Sequence, residues 1–163
     1  MIRYFVLLLI VLSACNKAPL SDEQRKAMSE EKKAREIKKI SEGDIMAAGT
    51  KRGQEIYQAV LQAVPADSLG NGSYVESKAD SLSKIYDEQI IWVTETNSAS
   101  LDEKSKAIWD AYVYNAEQGE SVSENMQKIG DKHLLYSQPI VKGGQLLGMW
   151  SILLLKKKVI LGM

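Results

Sequence analysis

Apolar and polar positions follow several rhythms along this 163-residue chain. Residues 4–12 are apolar without a break, a run of nine, and a bilayer-spanning helix needs roughly 20. Residues 16–42 reverse the pattern, with eight Lys or Arg, six Asp or Glu and little to bury. Within them Pro19 and Ser21-Asp22-Glu23-Gln24 make a helix start. Ser21 can accept from a first-turn amide while Gln24 reaches back. A solvated helix and a disordered charged tether both fit residues 25–40. The rhythm then becomes helical over residues 44–64, where Ile45, Ala48, Gly49, Ile56, Tyr57, Val60, Leu61 and Val64 recur every three or four positions before Pro65. Gly49 and Gly53 share the small-xxx-small spacing that lets helices approach closely, although outside membrane segments it is common.

A turn-rich linker, residues 65–73, carries Gly70-Asn71-Gly72, and residues 74–86 again read as helix, with Val75, Ala79, Leu82 and Ile85 or Tyr86 on one side. Residues 89–94, Gln-Ile-Ile-Trp-Val-Thr, read as a strand. Ser100-Leu101-Asp102-Glu103 reads as a second capping box, opening a helix whose inner face is Leu101, Ile108, Tyr112 and Ala116 and whose cap is Gly119. After Gly119 the period becomes that of strands: residues 123–129, 132–141 and 145–155, joined at Gly130-Asp131 and Gly143-Gly144. Pro139 lacks an amide donor, which puts its part of the middle strand at an edge or beside a bulge. The expected architecture is α+β, with N-terminal helices packed on one face of a small antiparallel sheet.

The N-terminal run changes the picture of where the chain resides. Arg3 precedes it and Leu12-Ser13-Ala14-Cys15 follows, which resembles the lipobox of bacterial lipoproteins. The resemblance implies cleavage before Cys15, a lipid on its sulfur and an acylated amino group. Residues 1–14 are then a signal peptide, 15–42 a lipidated cysteine and charged helical tether, and 43–163 the folded domain. The alternative is an uncleaved anchor with Cys15 as an ordinary small apolar residue. Charge, length, small residues and the lone cysteine all favour the lipobox. Acyl chains at about 0.8 kcal/mol per buried methylene hold such a protein on a bilayer. Asn16, rather than an aspartate, favours the outer membrane, with the domain facing the periplasm or the exterior.

Charge and composition narrow the chemistry. The whole chain holds 21 basic and 21 acidic side chains, so nothing directs it to nucleic acid. Cys15 is the only cysteine, so no disulfide or thiolate metal site is available. His133, the only histidine, reads as a surface or half-buried strand residue rather than a catalytic base, and no serine sits in a Gly-x-Ser-x-Gly elbow. Gly70-Asn71-Gly72 lacks the rest of any nucleotide fingerprint. Carboxylates at Asp102, Glu103, Asp110, Glu117, Glu120 and Glu124 sit where a solvated helix face and its exit loop place them. Lys156-Lys157-Lys158 reads as a charged strand end that discourages edge pairing.

The strand of residues 90–93, the acidic helix start Leu101-Asp102-Glu103, the helix end Asn115-Ala116-Glu117-Gln118-Gly119 and then Leu135-Tyr136-Ser137-Gln138-Pro139-Ile140 resemble the Tll-type haem-sensor family. The resemblance covers roughly residues 44–155 and implies a PAS-like α+β sensory domain preceded by helices. Many members attach haem through Cys-x-x-Cys-His just after the Tyr-x-x-Pro-Ile strand. Here Val141-Lys142-Gly143-Gly144-Gln145 and the residues after it hold neither cysteine nor histidine, so covalent attachment is impossible and no cofactor is expected. The Arg-Asn-Pro stretch that precedes the family's acidic helix is replaced by Thr96-Asn97-Ser98-Ala99-Ser100.

These readings converge on a membrane-anchored, non-enzymatic lipoprotein whose domain binds a small ligand or an envelope protein. A pocket between sheet and helices would be lined by Trp92, Trp109, Tyr136, Trp150 and His133, although such aromatics are more often plain core. The other readings are an envelope scaffold working through residues 21–41, a hydrolase built on two converging carboxylates, and a non-covalent haem binder using His133 or Met149.

Overall fold

The computed structural model describes residues 21–35 and 40–163. Cys15, the proposed signal peptide and part of the tether lie outside them. The chain divides into two units, Met1–Lys39 and Ile40–Met163. In the first, α1 (Asp22–Arg35) begins as its sequence predicts. The Gln24 amide donates to Ser21 Oγ at 3.2 Å, and the Ser21 amide donates to Gln24 Oε1 at 3.1 Å. The side chains of residues 21–31 are all exposed.

The second unit is α+β: α2 (Glu42–Ala63), α3 (Gly72–Tyr86), β1 (Gln89–Val93), α4 (Glu103–Glu117), β2 (Asn125–Ile129), β3 (His133–Lys142), β4 (Gln145–Leu155) and α5 (Lys156–Leu161). The four strands form one antiparallel sheet in the order β1-β4-β3-β2. A two-residue turn closes β3 onto β4, and both of its residues, Gly143 and Gly144, have positive φ (61° and 81°), which a side chain would strain. Pro139 lies on β3 beyond the last β2 pair, Asn125↔Ser137, and one residue before a bulge at Ile140/Val141. Its missing amide therefore faces an unpaired edge.

The sheet is buried on both faces, and this corrects the expectation of a single covered face. Ile90, Trp92, Leu134, Tyr136, Trp150, Ile152 and Leu154 point one way and pack with α2, α3 and Val159 of α5. Val93, Leu135 and Met149 point the other way and pack with Ile108, Trp109 and Tyr112 of α4. Two-sided burial explains why β4 is apolar at nearly every position. It also explains Ser137, fully buried on the α4 side, where its Oγ and the Tyr112 hydroxyl are 3.0 Å apart.

α2 starts one turn-fraction earlier than the periodicity predicts, because Ser41 and Asp44 form a capping box, each backbone amide donating to the other's side chain at 3.1 Å. Its glycines are packing devices. A Cβ at Gly49 would lie 2.7 Å from Leu134 Cδ1, and one at Gly53 would overlap the Tyr136 ring. The helix thus approaches the sheet more closely than any side chain would permit. On the same face the cross-strand pair Trp92 and Trp150 stacks at 4.9 Å between ring centroids, tilted by 45°.

Two local readings are also corrected. The cap of α4 is Asp102, not Ser100, which sits in a preceding 3-10 turn. Lys156-Lys157-Lys158 is not a strand end but the first turn of α5. Lys156 Nζ reaches Glu42 at 3.1 Å and Lys158 Nζ reaches Asp87 Oδ2 at 2.6 Å, so the lysines fasten α5 to the starts and ends of its neighbours.

Candidate functional site

α4 packs Ile108, Trp109 and Tyr112 inward. The positions next to them, Asp110, Val113, Ala116 and Glu117, look into a groove closed on its far side by Thr94, Glu95 and Thr96 and by the hairpin tip at Leu146 and Leu147. Its volume is about 620 Å³. Trp109 lines it while remaining only 5% exposed, whereas Leu147 is 37% exposed. Three carboxylates, Glu95, Asp110 and Glu117, border this apolar floor, and no cation does. Lys106 Nζ stands 2.9 Å from Asp110 on the outer face of the helix. The groove can therefore hold an apolar group flanked by positive charge.

A polar cluster lies on the opposite face, between α2 and the start of β2. The Tyr136 hydroxyl donates to Glu124 Oε2 at 2.5 Å and stands 3.1 Å from Gln138 Oε1. Gln54 Nε2 donates to Glu124 Oε1 at 2.6 Å. Burial, then the bonded and nearby Glu124, push the Tyr136 hydroxyl far above the ordinary phenol range. Burial raises Tyr57 and Tyr112 in the same direction. These phenols stay protonated donors, and the cleft that Tyr57 and Tyr136 border, about 420 Å³, is lined mainly by amides and carboxylates.

The carboxyls with shifted acidity move the other way. Glu42 is held low by Lys128 and Lys156, Asp87 by Lys158, and Asp102 by the Ser105 hydroxyl and by backbone amides. None of those environments makes a proton donor near neutral pH. Among the described residues no group of three or more His, Cys, Asp or Glu is arranged to hold a metal ion.

The structure does not gather the five expected lining residues into one chamber. Trp92, Tyr136 and Trp150 share the first core cluster, at 5%, 0% and 1% exposure. Trp109 belongs to the other face. His133 begins β3 and lines a shallow cleft with Asp80, Asp87, Glu88 and Lys158. Met149 is fully buried in the second cluster. The sequence reading did not reach Glu95, Leu147 or the Tyr136–Glu124 bond, since each depends on how the strands are laid side by side. Comparison with protein-family models, with curated proteins and with solved structures finds no match to this chain.

Proposed function

We propose that this chain is a bacterial lipoprotein, anchored through Cys15, whose Ile40–Met163 unit works by binding another envelope molecule at its surface. One observation carries the reading. The aromatics best suited to line an interior pocket, Trp92, Tyr136 and Trp150, instead fill the space between sheet and helices. What remains for recognition is outside the core: the Trp109 groove and the sheet edges.

The PAS-like part of the reading is supported by element order, with helices α2 and α3 preceding an antiparallel sheet completed by three consecutive strands. Sensing through an enclosed ligand is the weaker form, because the core aromatics occupy the place of the ligand. A scaffold role has one observation of its own in α1, whose described side chains are wholly solvated, as a spacer requires.

Two measurements on protein purified from bacterial membranes test the proposal. Mass spectrometry of the N-terminal peptide should find a chain beginning at acylated Cys15, and an unmodified cysteine removes the anchor. Native mass spectrometry with an absorption spectrum should find the polypeptide mass alone. A stoichiometric small molecule or a Soret band would replace surface binding with ligand sensing.

A further inference from the structure

Two edges bound the sheet, and side chains close one of them more fully than the other. On β1 the outward backbone groups are those of Ile90 and Trp92, followed by Thr94. The Ile90 amide donates to Ser83 Oγ at 3.0 Å, and that hydroxyl lies 3.4 Å from the Ile90 carbonyl oxygen. Asn97 Nδ2 donates to the Trp92 carbonyl at 2.9 Å, and the Thr94 amide donates to Asn97 Oδ1 at 2.8 Å. A strand arriving at β1 would find the Ile90 amide, the Trp92 carbonyl and the Thr94 amide already taken, with the Trp92 amide left to it among the described residues.

β2 is different. Antiparallel pairing with β3 turns the backbone of Asn125, Gln127 and Ile129 inward and that of Met126 and Lys128 outward. Two contacts fix this phase: Ser137 Oγ on the β3 side reaches the Asn125 carbonyl at 3.4 Å, and Lys104 Nζ reaches the Lys128 carbonyl at 3.4 Å from α4. Among the described residues the outward amides of Met126 and Lys128 and the Met126 carbonyl have no partner. Alongside this edge runs a narrow groove of about 310 Å³ between α4 and β2, floored by Ala107, Ile108 and Ala111. Ala107 and Ala111 are exposed, so the apolar surface of α4 extends past the last strand.

Charge selects the occupant. Lys104 and Lys128 flank the edge, and Lys104 forms no ion pair among the described residues. The carboxylate on Lys128, Glu42 at 3.1 Å, approaches from the α2 side of the sheet. A second copy pairing β2 with β2 about Gln127 would bring two Lys104 side chains, neither in an ion pair among the described residues, onto one short ribbon, which like-charge repulsion opposes. Residues 16–42 carry more basic than acidic groups and are matched no better.

We propose that the β2 edge receives, as a fifth antiparallel strand, an extended acidic segment of another polypeptide, with small apolar residues alternating toward Ala107 and Ala111. Main-chain bonds to Met126 and Lys128 supply the affinity, and the lysines and the shallow groove supply the selection. This names the surface for the partner-binding reading above and rests on it.

Amide hydrogen exchange on the full chain tests it, with an end-capped heptapeptide of alternating glutamate and valine as the probe. Bound peptide should slow exchange at Met126 and Lys128 about tenfold and leave Ile90 and Thr94 unchanged. Lys104→Glu, an exposed position, should weaken binding about fivefold, the scale of one rim charge, without altering thermal unfolding. The same peptide N-methylated along its backbone should not bind. No added protection at Met126 and Lys128 with peptide at about 1 mM, the weak end of measurable affinity, overturns the proposal. Protection confined to the Trp109 groove overturns the edge while sparing the partner-binding reading. Protection of the same amides by self-association without peptide makes the occupant a second copy and overturns the assignment of an acidic partner.

Discussion

Gly53 marks where the packing has least room. Alanine in a helix interior gains about 1 kcal/mol over glycine, but here its Cβ would overlap the fully buried Tyr136 ring. Overpacking costs typically 1–3 kcal/mol or more, and a central aromatic on a sheet cannot swing aside as a surface chain can. Gly53→Ala should therefore lower the unfolding free energy by about 2 kcal/mol in urea at unchanged m-value. Gly72 opens α3 with nothing within 4 Å, and Gly72→Ala should leave stability level or slightly raised. Equal stabilities for the two variants would mean that α2 and β3 are farther apart than described. Asp102 carries the second residue-scale prediction. Its Oδ1 accepts the amides of Lys104 at 3.1 Å and Ser105 at 3.2 Å, and its Oδ2 accepts the Ser105 hydroxyl at 2.5 Å. The ionised form is the one bonded, so the Ser105 hydroxyl first, with the backbone amides, holds the carboxyl below the ordinary aspartate range. A depressed pKa contributes stability that is fully present above the unfolded value and fades as pH falls through the folded one. Asp102→Ala should cost about 1 kcal/mol at pH 7. Asp102→Asn should keep most of the cap and flatten the loss of stability below about pH 4. An unchanged pH slope in Asp102→Asn would assign that slope to other carboxyls.

At the scale of elements, Ser83 belongs to α3 but completes β1. Its hydroxyl donates to the Ala79 carbonyl at 2.8 Å and accepts the outward amide of Ile90 at 3.0 Å, so Ser83→Ala leaves a half-buried amide unpaired, at a cost of about 1–2 kcal/mol. The variant should also aggregate at lower concentration than the native chain by light scattering, because an opened strand edge is a template for pairing. Stability loss with no change in scattering would separate the hydrogen bond from the edge. Such cross-element contacts are what the linear pattern could not convey. Helix α2, the strand triplet and its two turns were legible because their apolar spacing has a definite period and their turns hold glycine. The second buried face was not. Val93, Leu135 and Met149 lie in runs that are apolar on both sides, and a run without alternation does not say which side is covered. Helix α5 escaped for a related reason. Its six residues, Lys156–Leu161, are too few to display a period, and only Val159 is buried. The Ser100 box failed because Ser100, Asp102 and Ser105 all offer capping oxygens and only the preceding 3-10 turn decides among them. For the candidate surfaces, the aromatics were legible as residues and not as places: Trp109 and Trp92 fall on opposite faces by strand parity and helix position alone.

For the whole molecule, the question is how an anchor and a domain divide the labour. Among the described residues every member of both core clusters lies between Ile45 and Ile160, which places the packed core in Ile40–Met163. A chain beginning at Ile40 keeps the Ser41–Asp44 capping box and should unfold in one cooperative transition at the midpoint of the longer chain. Attachment should depend on residues that folding does not use. On the proposed reading, in which acyl chains on Cys15 account for retention, Cys15→Ala should release the protein from washed bacterial membranes while leaving that midpoint unchanged. The pairing of the two results is what discriminates. If Cys15→Ala stays on the membrane while the shortened chain is soluble, the apolar run of residues 4–12 is retained as an anchor and the lipobox reading falls. If the shortened chain itself remains bound, the domain carries its own membrane contact, and the exposed apolar groups of the Leu147 hairpin tip beside Trp109 become the first surface to test.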